Sequence, residues 1–288
     1  MKDQIQTASE VKSSSSASKL ASVVRENKRR FAMFAMFVMI VGLFFTAAFT
    51  SCNKDDDDDN NGSDKVKLLE TITYDGYTKY EYDAQNRFTK ISWYPDKVTA
   101  TPRETHTFTY NSDDLVKVVI VEAVVYVDTY EFAKNGNKIT ATFTQEYQNN
   151  VVGTYTKSFD LNSDGTLAKV LDSGDDESYE YSYQYQGGNL TKMSYKITDK
   201  DGTFTGAAEF KYDSKNSPFL HCKTPKWYMI WWMEEEGSKN NVTEISWDDD
   251  EETVYTNEYE YDSDGYPTKC TFKDEKGRSN VWEYTYKQ

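Results

Sequence analysis

The sequence predicts an all-β protein, an antiparallel up-and-down meander of about eight hairpin repeats, or about 16 strands, closed or wrapped into a barrel-like domain. Eight degenerate copies of a unit of the type YEYDSDGYPTKCTF, Tyr259 to Phe272, occur between residues 65 and 288. Side chains alternate between aromatic and polar within the units, which is the period of a strand. No crossover helix separates the units, so strands adjacent in sequence are expected to pair.

The repeat has the chemistry of a hairpin. Tyr259 and Tyr261 share one face of a strand and Glu260 lies on the other. Asp262 and Gly265 then reverse the chain, because Asp bonds its own following backbone and Gly accepts a positive φ. Turns of this kind are short and uniform at one end of the meander. The turns at the opposite end vary, as in Tyr94 to Glu104 and Gln148 to Gly153.

One face of the predicted sheet is aromatic and the other is polar. Every second residue from Tyr179 to Tyr185 is tyrosine, and Trp282, Tyr284 and Tyr286 repeat the pattern. A membrane-spanning barrel needs an apolar outward band, and each charge at its midplane costs roughly 2 to 4 kcal/mol. Glu, Lys and Gln recur on one face and phenols on the other, so neither suits lipid tails. We therefore predict a soluble barrel with its tyrosine face inward.

A long segment, residues 214–240, interrupts the repeats and carries a dense aromatic run. So much apolar surface cannot remain in water without inviting association. One interpretation is a short helix or turn that plugs the end or interior of the sheet. The other is that some rings line a pocket for a sugar or a lipid tail. The ligand-binding candidates are Trp227, Tyr228, Trp231 and Trp232.

Residues 1–51 have the pattern of an export signal. A basic cluster that ends at Arg30 precedes an apolar run from Phe31 to Phe49, and the run stops at Cys52. This arrangement resembles the lipobox of bacterial lipoproteins, which implies acylation of Cys52, although Phe49 stands where Leu is usual. The apolar run is also about 20 residues long, enough for an uncleaved single-pass anchor. Both interpretations tether the following domain to a membrane.

Residues 52–64 are predicted to be a flexible acidic linker, because adjacent carboxylates repel one another and cannot pack. The segment also resembles the acidic signal that sends some Gram-negative lipoproteins to the outer face of the outer membrane. The predicted location is therefore the outer membrane, lipid-anchored and exposed at the cell surface, with the periplasmic face as second choice. The export-signal residues are Lys54, Asp55, Asp56, Asp57, Asp58 and Asp59.

The hairpins YEYDAQNRFTKI and YEYDSDGYPTKC resemble YD-type repeats. Together with the lipobox, the segment SKNSPF and the following NNVTEISW, they resemble a domain-of-unknown-function family of bacterial lipoproteins with a porin-like fold. The resemblance covers most of residues 65–288. It implies a barrel-like fold and a surface or periplasmic position, and it brings no substrate and no catalytic residues.

Few residues suggest chemistry. His106 falls on the inward face, where a packed, hydrogen-bonded role is expected, and His221 lacks the neighbouring ligands that a metal site needs. We predict no metal and no cofactor. An oxidising envelope permits a disulfide between Cys222 and Cys270. Nucleophile, phosphate-loop and dinucleotide fingerprints do not occur, so no catalytic residue is assigned.

The charge of the chain restricts its partners. Residues 52–288 carry 26 basic and 45 acidic groups, a net charge of −19. Such a body does not attract phosphate backbones, so nucleic acid is not expected as a partner. The sequence favours a non-catalytic envelope lipoprotein that binds a ligand, with a glycan or an envelope protein first. The alternatives are a hydrolase acting on glycans or lipids, and a purely structural or assembly component.

Overall fold

The computed structural model describes residues 66–123, 125–174, 177–248, 253–274 and 276–287. This part of the chain contains sixteen strands, one α-helix (α1) and one 3-10 turn. In chain order they are β1 Leu68–Thr73, β2 Tyr77–Tyr82, β3 Phe88–Tyr94, β4 Glu104–Asn111, β5 Asp114–Glu122, β6 Tyr126–Asn135, β7 Lys138–Tyr147, β8 Asn150–Leu161, β9 Leu167–Ser173, β10 Ser178–Gln186, β11 Asn189–Asp199, β12 Gly202–Tyr212, α1 Lys226–Met233, the 3-10 turn Glu234–Gly237, β13 Val242–Asp248, β14 Thr253–Tyr261, β15 Pro267–Lys273 and β16 Ser279–Lys287.

The sixteen strands form one closed antiparallel barrel. Each strand pairs with the next along the chain, and β16 pairs with β1 to complete the circle. At this junction the hydroxyl oxygens of Thr71 and Thr285 lie 2.7 Å apart. The predicted meander is confirmed, and of the two arrangements left open by the sequence, closed or wrapped, the structure has the closed one. Closure matters physically because unpaired edge strands attract other chains.

The two faces of the barrel are distributed as predicted. Phe88, Phe159 and Leu190 point inward and are fully buried. The outer face carries Thr, Ser, Lys and Glu, with cross-strand ion pairs such as Lys192 with Glu209 at 2.8 Å. Within the described residues no helix is long and apolar enough to cross a bilayer.

The short turns share one hydrogen-bonding arrangement. Asp262 Oδ1 accepts the N–H groups of Asp264 at 3.0 Å and Tyr266 at 2.9 Å. Gly265 supplies the left-handed position, with φ +79°. Asp83 repeats the arrangement and accepts the N–H groups two and four residues later. This is a three-residue hairpin loop whose third position needs a positive φ, which explains the recurring Asp and Gly.

The recurring tyrosine also has a structural role. A register shift interrupts the ladder beside the short turns, for example between Glu81 and Tyr82. The tyrosine hydroxyl next to the turn donates to a carbonyl near the start of the preceding strand. Such bonds of 2.8 Å join Tyr82 to Leu69, Tyr185 to Leu167 and Tyr286 to Pro267. Buried carbonyls need a partner, and the phenol supplies it at the same place in several repeats.

One expected loop is absent. The sequence suggested a variable loop from Gln148 to Gly153, but β8 already begins at Asn150. Gln148 and Asn149 have φ values of 49° and 64° and form a two-residue turn. Positive φ at both central residues is the tight hairpin turn that matches strand twist, so the two strands extend further than expected.

Candidate functional site

Residues 213–241, which we call the plug, join β12 to β13 at the end of the barrel that has the short turns. The plug is bonded to three of those turns through its backbone. N–H groups of Asn216, Lys223 and Lys239 donate to carbonyls of neighbouring turns at 2.9 to 3.2 Å; the acceptors are Gly265, Asn86 and Gly188 respectively. These bonds fix the plug at several points of the rim.

Two hydroxyl side chains of the plug complete the strand ladders. Thr224 Oγ1 accepts the N–H of Phe88 at 2.9 Å, and Ser238 Oγ accepts the N–H of Leu190 at 3.0 Å. Each hydroxyl also touches an inward tyrosine: Tyr110 lies 3.2 Å from Thr224, and Tyr212 lies 3.0 Å from Ser238. These two hydroxyl groups thus bond the plug to the beginnings of β3 and β11.

The first turn of α1 belongs to the hydrophobic core. Trp227 is 4% exposed and Tyr228 is 1% exposed. The Trp227 ring lies 5.1 Å from that of Phe132, and the Tyr228 ring lies 5.6 Å from that of Phe108, both edge-on. The plug interpretation is confirmed for this part of the segment, and these two rings leave no face for a ligand.

The second turn of α1 is different. Trp231 and Trp232 are half-buried. Trp231 packs edge-on against Tyr130, with ring centroids 5.4 Å apart. Trp232 reaches past the core to His106, with centroids 5.1 Å apart. The four aromatic candidates are therefore divided between the core and the inner space above it.

Trp232 lines a cavity of about 270 Å³ on the side of the plug that faces the variable turns. The other lining residues come from four neighbouring strands, β4 to β7, and most are polar. They are Glu104, Ile120, Glu122, Tyr126, Asp128 and Gln145. This lining is more polar than that of most small-molecule sites, which are mainly apolar with a few polar groups, and it combines aromatic rings with several hydrogen-bonding side chains.

The polar groups of the cavity are held in place by neighbours. His106 Nε2 lies 2.6 Å from Glu104 Oε1, and Gln145 Nε2 donates to Asp128 Oδ1 at 3.1 Å. Arg103 pairs with Glu122 at 3.7 Å. His106 is 4% exposed, which confirms the packed, hydrogen-bonded role predicted for it. The structure thus holds the cavity's carboxylates in fixed positions with their charges partly compensated.

A second cluster of polar side chains, three consecutive glutamates, lies on the 3-10 turn that follows α1. Burial raises the pKa of Glu234, of Glu235 to about 7 and of Glu236 to about 8. Glu234 has φ +53°, a conformation that L residues rarely adopt, and its N–H donates to Ile230. The abrupt turn directs three consecutive carboxyl groups among the inward tyrosines.

The two thiols are both free, so the disulfide considered for Cys222 and Cys270 is not formed. The physical reason is their separate surroundings. Cys222 lies in the plug beside Thr224 and the backbone of Phe88. Cys270 is fully buried on β15 and touches Tyr259 of the preceding strand.

The remaining predicted site residues are placed as follows. His221 Nε2 lies 2.7 Å from the hydroxyl of Tyr266, so it fastens the plug to a short turn. The lipidation site Cys52 and the export residues from Lys54 to Asp59 lie outside the described residues. Their roles remain predictions.

The cavity residues Glu104, Glu122, Asp128 and Gln145 were missed by sequence reasoning. They occupy inward positions of their strands at the end near the variable turns, where the inward row changes from aromatic to acidic. Glu104 precedes His106 by two residues and so shares its face. A polar residue on an otherwise apolar face was the available signal.

Protein-family models and curated proteins give no match to the chain. Among solved structures, a porin-like protein from Bacteroides uniformis is similar, with 16% identity and a TM-score of 0.44 over 77% of this chain and 95% of that one. A porin-like protein from Bacteroides vulgatus has 11% identity and a TM-score of 0.39 over 77% of this chain and 99% of that one. A likeness of this degree transfers no function.

Proposed function

We propose that the protein is a non-catalytic envelope lipoprotein, anchored through Cys52 to the outer membrane and exposed at the cell surface. It binds a ligand in the half of the barrel that the plug leaves open. A glycan is the favoured ligand, and another envelope component is the second choice.

The observation that carries this proposal is the cavity floored by Trp232. The plug is bonded to the rim at the other end, and its Trp232 forms part of the cavity lining. An indole face suits the apolar face of a sugar ring. Glu104, Asp128 and Gln145 provide oxygen acceptors for hydroxyl groups around it.

The proposed location is supported by the leader and by the outer face of the barrel. The apolar run that ends at Cys52 and the acidic run after it fit a lipid-anchored exported protein. The outer face, with its exposed Lys and Glu pairs, suits water rather than hydrocarbon. An anchored barrel that stays in water accounts for both features.

Binding is tested with the full-length protein in detergent, on a glycan array and by thermal shift. We expect a glycan hit that raises the melting temperature, and we expect Trp232→Ala to abolish both effects. The matched control is Tyr94→Ala, which removes an outer-face ring that stacks on Tyr77 at 4.3 Å. A glycan hit that survives Trp232→Ala would place the ligand elsewhere. The absence of any hit would favour a structural role.

The anchor is tested separately by mass spectrometry of the mature protein and by fractionation. The expected N-terminus is acylated Cys52, and Cys52→Ser should abolish acylation and release the protein from the outer-membrane fraction. If the acidic run directs the protein to the cell surface, replacing Asp55 to Asp59 by Ser should reduce the fraction of the protein that proteinase added to intact cells can cleave. An intact leader on the mature protein would support the uncleaved anchor instead.

A hydrolase remains the second candidate, because the Trp232 ring lies beside the carboxyl groups of Glu104, Glu122 and Asp128. Glycoside hydrolysis uses two carboxyl groups roughly 5 to 10 Å apart across the bond that is cleaved. Incubation of each bound glycan with the protein, followed by product analysis, decides between the two functions. Reducing ends that form with the wild type and not with Glu104→Gln or Glu122→Gln would establish catalysis.

A further inference from the structure

A set of aromatic residues continues upward from the cavity on the inner face of β6, β7 and β8. We call it the aromatic wall; it consists of Tyr126, Tyr130, Phe143, Tyr147 and Tyr155. The strand register places these rings side by side. Tyr126 pairs with Tyr147, Tyr130 with Phe143, and Phe143 with Tyr155.

The wall faces the interior of the barrel. Tyr126 and Tyr130 have the same parity on β6 as Phe132, which packs against the plug. Tyr155 has the same parity on β8 as Phe159, whose ring lies 5.0 Å from that of Trp231. The members of the wall therefore point inward although they lie above the packed core.

Three of these inward rings are open to solvent. Tyr126 is 44% exposed, Tyr147 is 39% exposed and Tyr155 is 51% exposed. Inward rings in the plugged half, such as those of Tyr80 and Phe88, are buried. Clustered exposed rings on an inner face mark a contact surface more often than scattered ones do.

The wall and the cavity are continuous. The Tyr130 ring lies 6.1 Å from that of Trp232, and Tyr126 itself lines the cavity. Neighbouring rings within the wall are 4.7 to 5.6 Å apart, from Tyr130 to Phe143 and from Phe143 to Tyr155. A series of neighbouring rings thus leads from the cavity towards the variable turns.

Gly153 lets the outermost ring lie against its strand. A Cβ at this position would come within 2.6 Å of the Tyr155 hydroxyl oxygen and 2.9 Å of the ring. Because glycine has no Cβ, the Tyr155 ring lies over the backbone of β8, stacked beside Phe143 at an interplanar angle of 16°. The absence of a Cβ at Gly153 thus fixes where the Tyr155 ring can lie.

We propose that the aromatic wall binds an unbranched, neutral glycan chain whose end occupies the cavity, an inference that rests on the proposed function. The cavity, at about 270 Å³, is smaller than the roughly 300 to 1,000 Å³ typical of ligand pockets, so it holds the end of a chain and the rest must lie outside. The wall supplies stacking faces where the rest emerges.

The charges around the site favour a neutral chain. Glu122 has a cationic partner in Arg103, and the His106 ring and the Gln145 amide already contact Glu104 and Asp128, so a cationic ligand would have to compete with these neighbours. Lys157, two residues beyond Tyr155 on the same face, is paired with Asp172 at 2.6 Å and is not available to an anionic sugar. Hydroxyl groups can bond to these paired carboxylates without separating them.

The test is calorimetric titration of the full-length protein with neutral, unbranched oligosaccharides of one to six units. The probes are α- and β-linked glucose, xylose, mannose and N-acetylglucosamine series. We expect affinity for at least one series to increase with chain length. Tyr155→Ala should lower the affinity for the six-unit member by about 3- to 10-fold, the effect of losing one aromatic contact, and leave single-unit binding unchanged.

Two further variants test whether the effect on binding is specific to the position of the Tyr155 ring. Gly153→Ala should displace the Tyr155 ring and weaken long-chain binding in the same way, whereas Tyr94→Ala on the outer face should have no effect. Circular dichroism verifies that each variant folds. Equal affinity for all chain lengths, or a Tyr155→Ala protein that binds six units as tightly as the wild type, would overturn the wall and leave the cavity intact. No binding by any series would overturn both.

Discussion

The plugged half and the open half of the barrel are built from the same repeats but are filled differently. In the plugged half, inward rings such as Phe108, Phe132 and Phe159 close around α1. In the open half, Tyr126 and Tyr155 project inward and remain exposed. The difference arises from how far the plug extends, because the strands carry aromatic residues in both halves. Packing therefore ends, and the candidate site begins, at the second turn of α1.

The largest effect on the free energy of unfolding is expected from α1, where Trp227 belongs to the plugged half and Trp232 lies at the boundary with the open half. Trp227→Ala removes a buried ring from the plugged half and should cost about 3 to 5 kcal/mol of the free energy of unfolding. Trp232→Ala, at the boundary with the open half, should cost clearly less because its ring is half-buried. Urea unfolding followed by circular dichroism measures both. Equal costs for the two variants would mean that the boundary is misplaced.

The 3-10 turn should make stability depend on pH. Burial raises the pKa of Glu235 to about 7 and of Glu236 to about 8, so the folded state holds protons that the unfolded state releases near its ordinary pKa of about 4.5. The contribution of these two groups to stability is then greatest below that value and is lost as pH rises towards 8. Each pH unit with a difference of one bound proton is worth about 1.4 kcal/mol.

The groups that face these carboxyl groups are tyrosines. Tyr80, Tyr259 and Tyr284 lie near Glu236, and Tyr212 lies near Glu235. Melting curves between pH 5 and 8.5 should show a steeper decline for the wild type than for the double variant E235Q/E236Q. Glu258→Gln on the outer face is the control and should follow the wild type. Identical slopes for wild type and double variant would contradict the raised pKa values of Glu235 and Glu236.

A smaller effect on the free energy of unfolding is expected when a tyrosine hydroxyl is removed, and it should differ between a hydrogen-bonded tyrosine and an exposed one. Tyr185 donates to the Leu167 carbonyl at 2.8 Å. Tyr185→Phe should cost about 1 kcal/mol, since it removes this bond and leaves the ring in place. Tyr155→Phe in the open half should leave the free energy of unfolding unchanged. Chemical denaturation of the two variants in parallel tests the difference, and a loss at Tyr155 equal to that at Tyr185 would refute it.

The smallest effect is expected on the outer face. Lys269 and Glu260 are 2.7 Å apart across neighbouring strands, and both side chains are exposed. Exposed ion pairs contribute little because water and salt screen them. Lys269→Ala should therefore leave the melting temperature unchanged in scanning calorimetry. A measurable decrease would show that the outer ladders hold the barrel together more than their exposure suggests.

The parts of the fold that depend on local pattern could be predicted from sequence. Alternation placed Tyr181 and Tyr183 on the inner face, and the Asp and Gly of each short turn defined the hairpins. The strand count followed from the number of repeats. Closure could not be predicted, because a wrapped sheet would also bury the aromatic face; the pairing of β1 with β16 decides it.

The candidate site could be predicted only in part. Trp232 was recognised as a candidate, but nothing local distinguishes its exposure from the burial of Trp227, five residues earlier. Glu104, Glu122 and Asp128 come together through pairing of β4 to β6 and through the depth that the plug reaches. Both are long-range properties. The same holds for the free thiols, since the surroundings of Cys222 depend on where the plug lies.

The pairing of β1 with β16 makes the barrel dependent on its final hairpin. Thr71 and Thr285 meet across this seam although 214 residues separate them. A chain that stops before β16 has two open edges instead of none, and open edges invite assembly with other chains. The ring cannot close until β16 is present, and a prematurely terminated product is expected to aggregate rather than to form a smaller barrel.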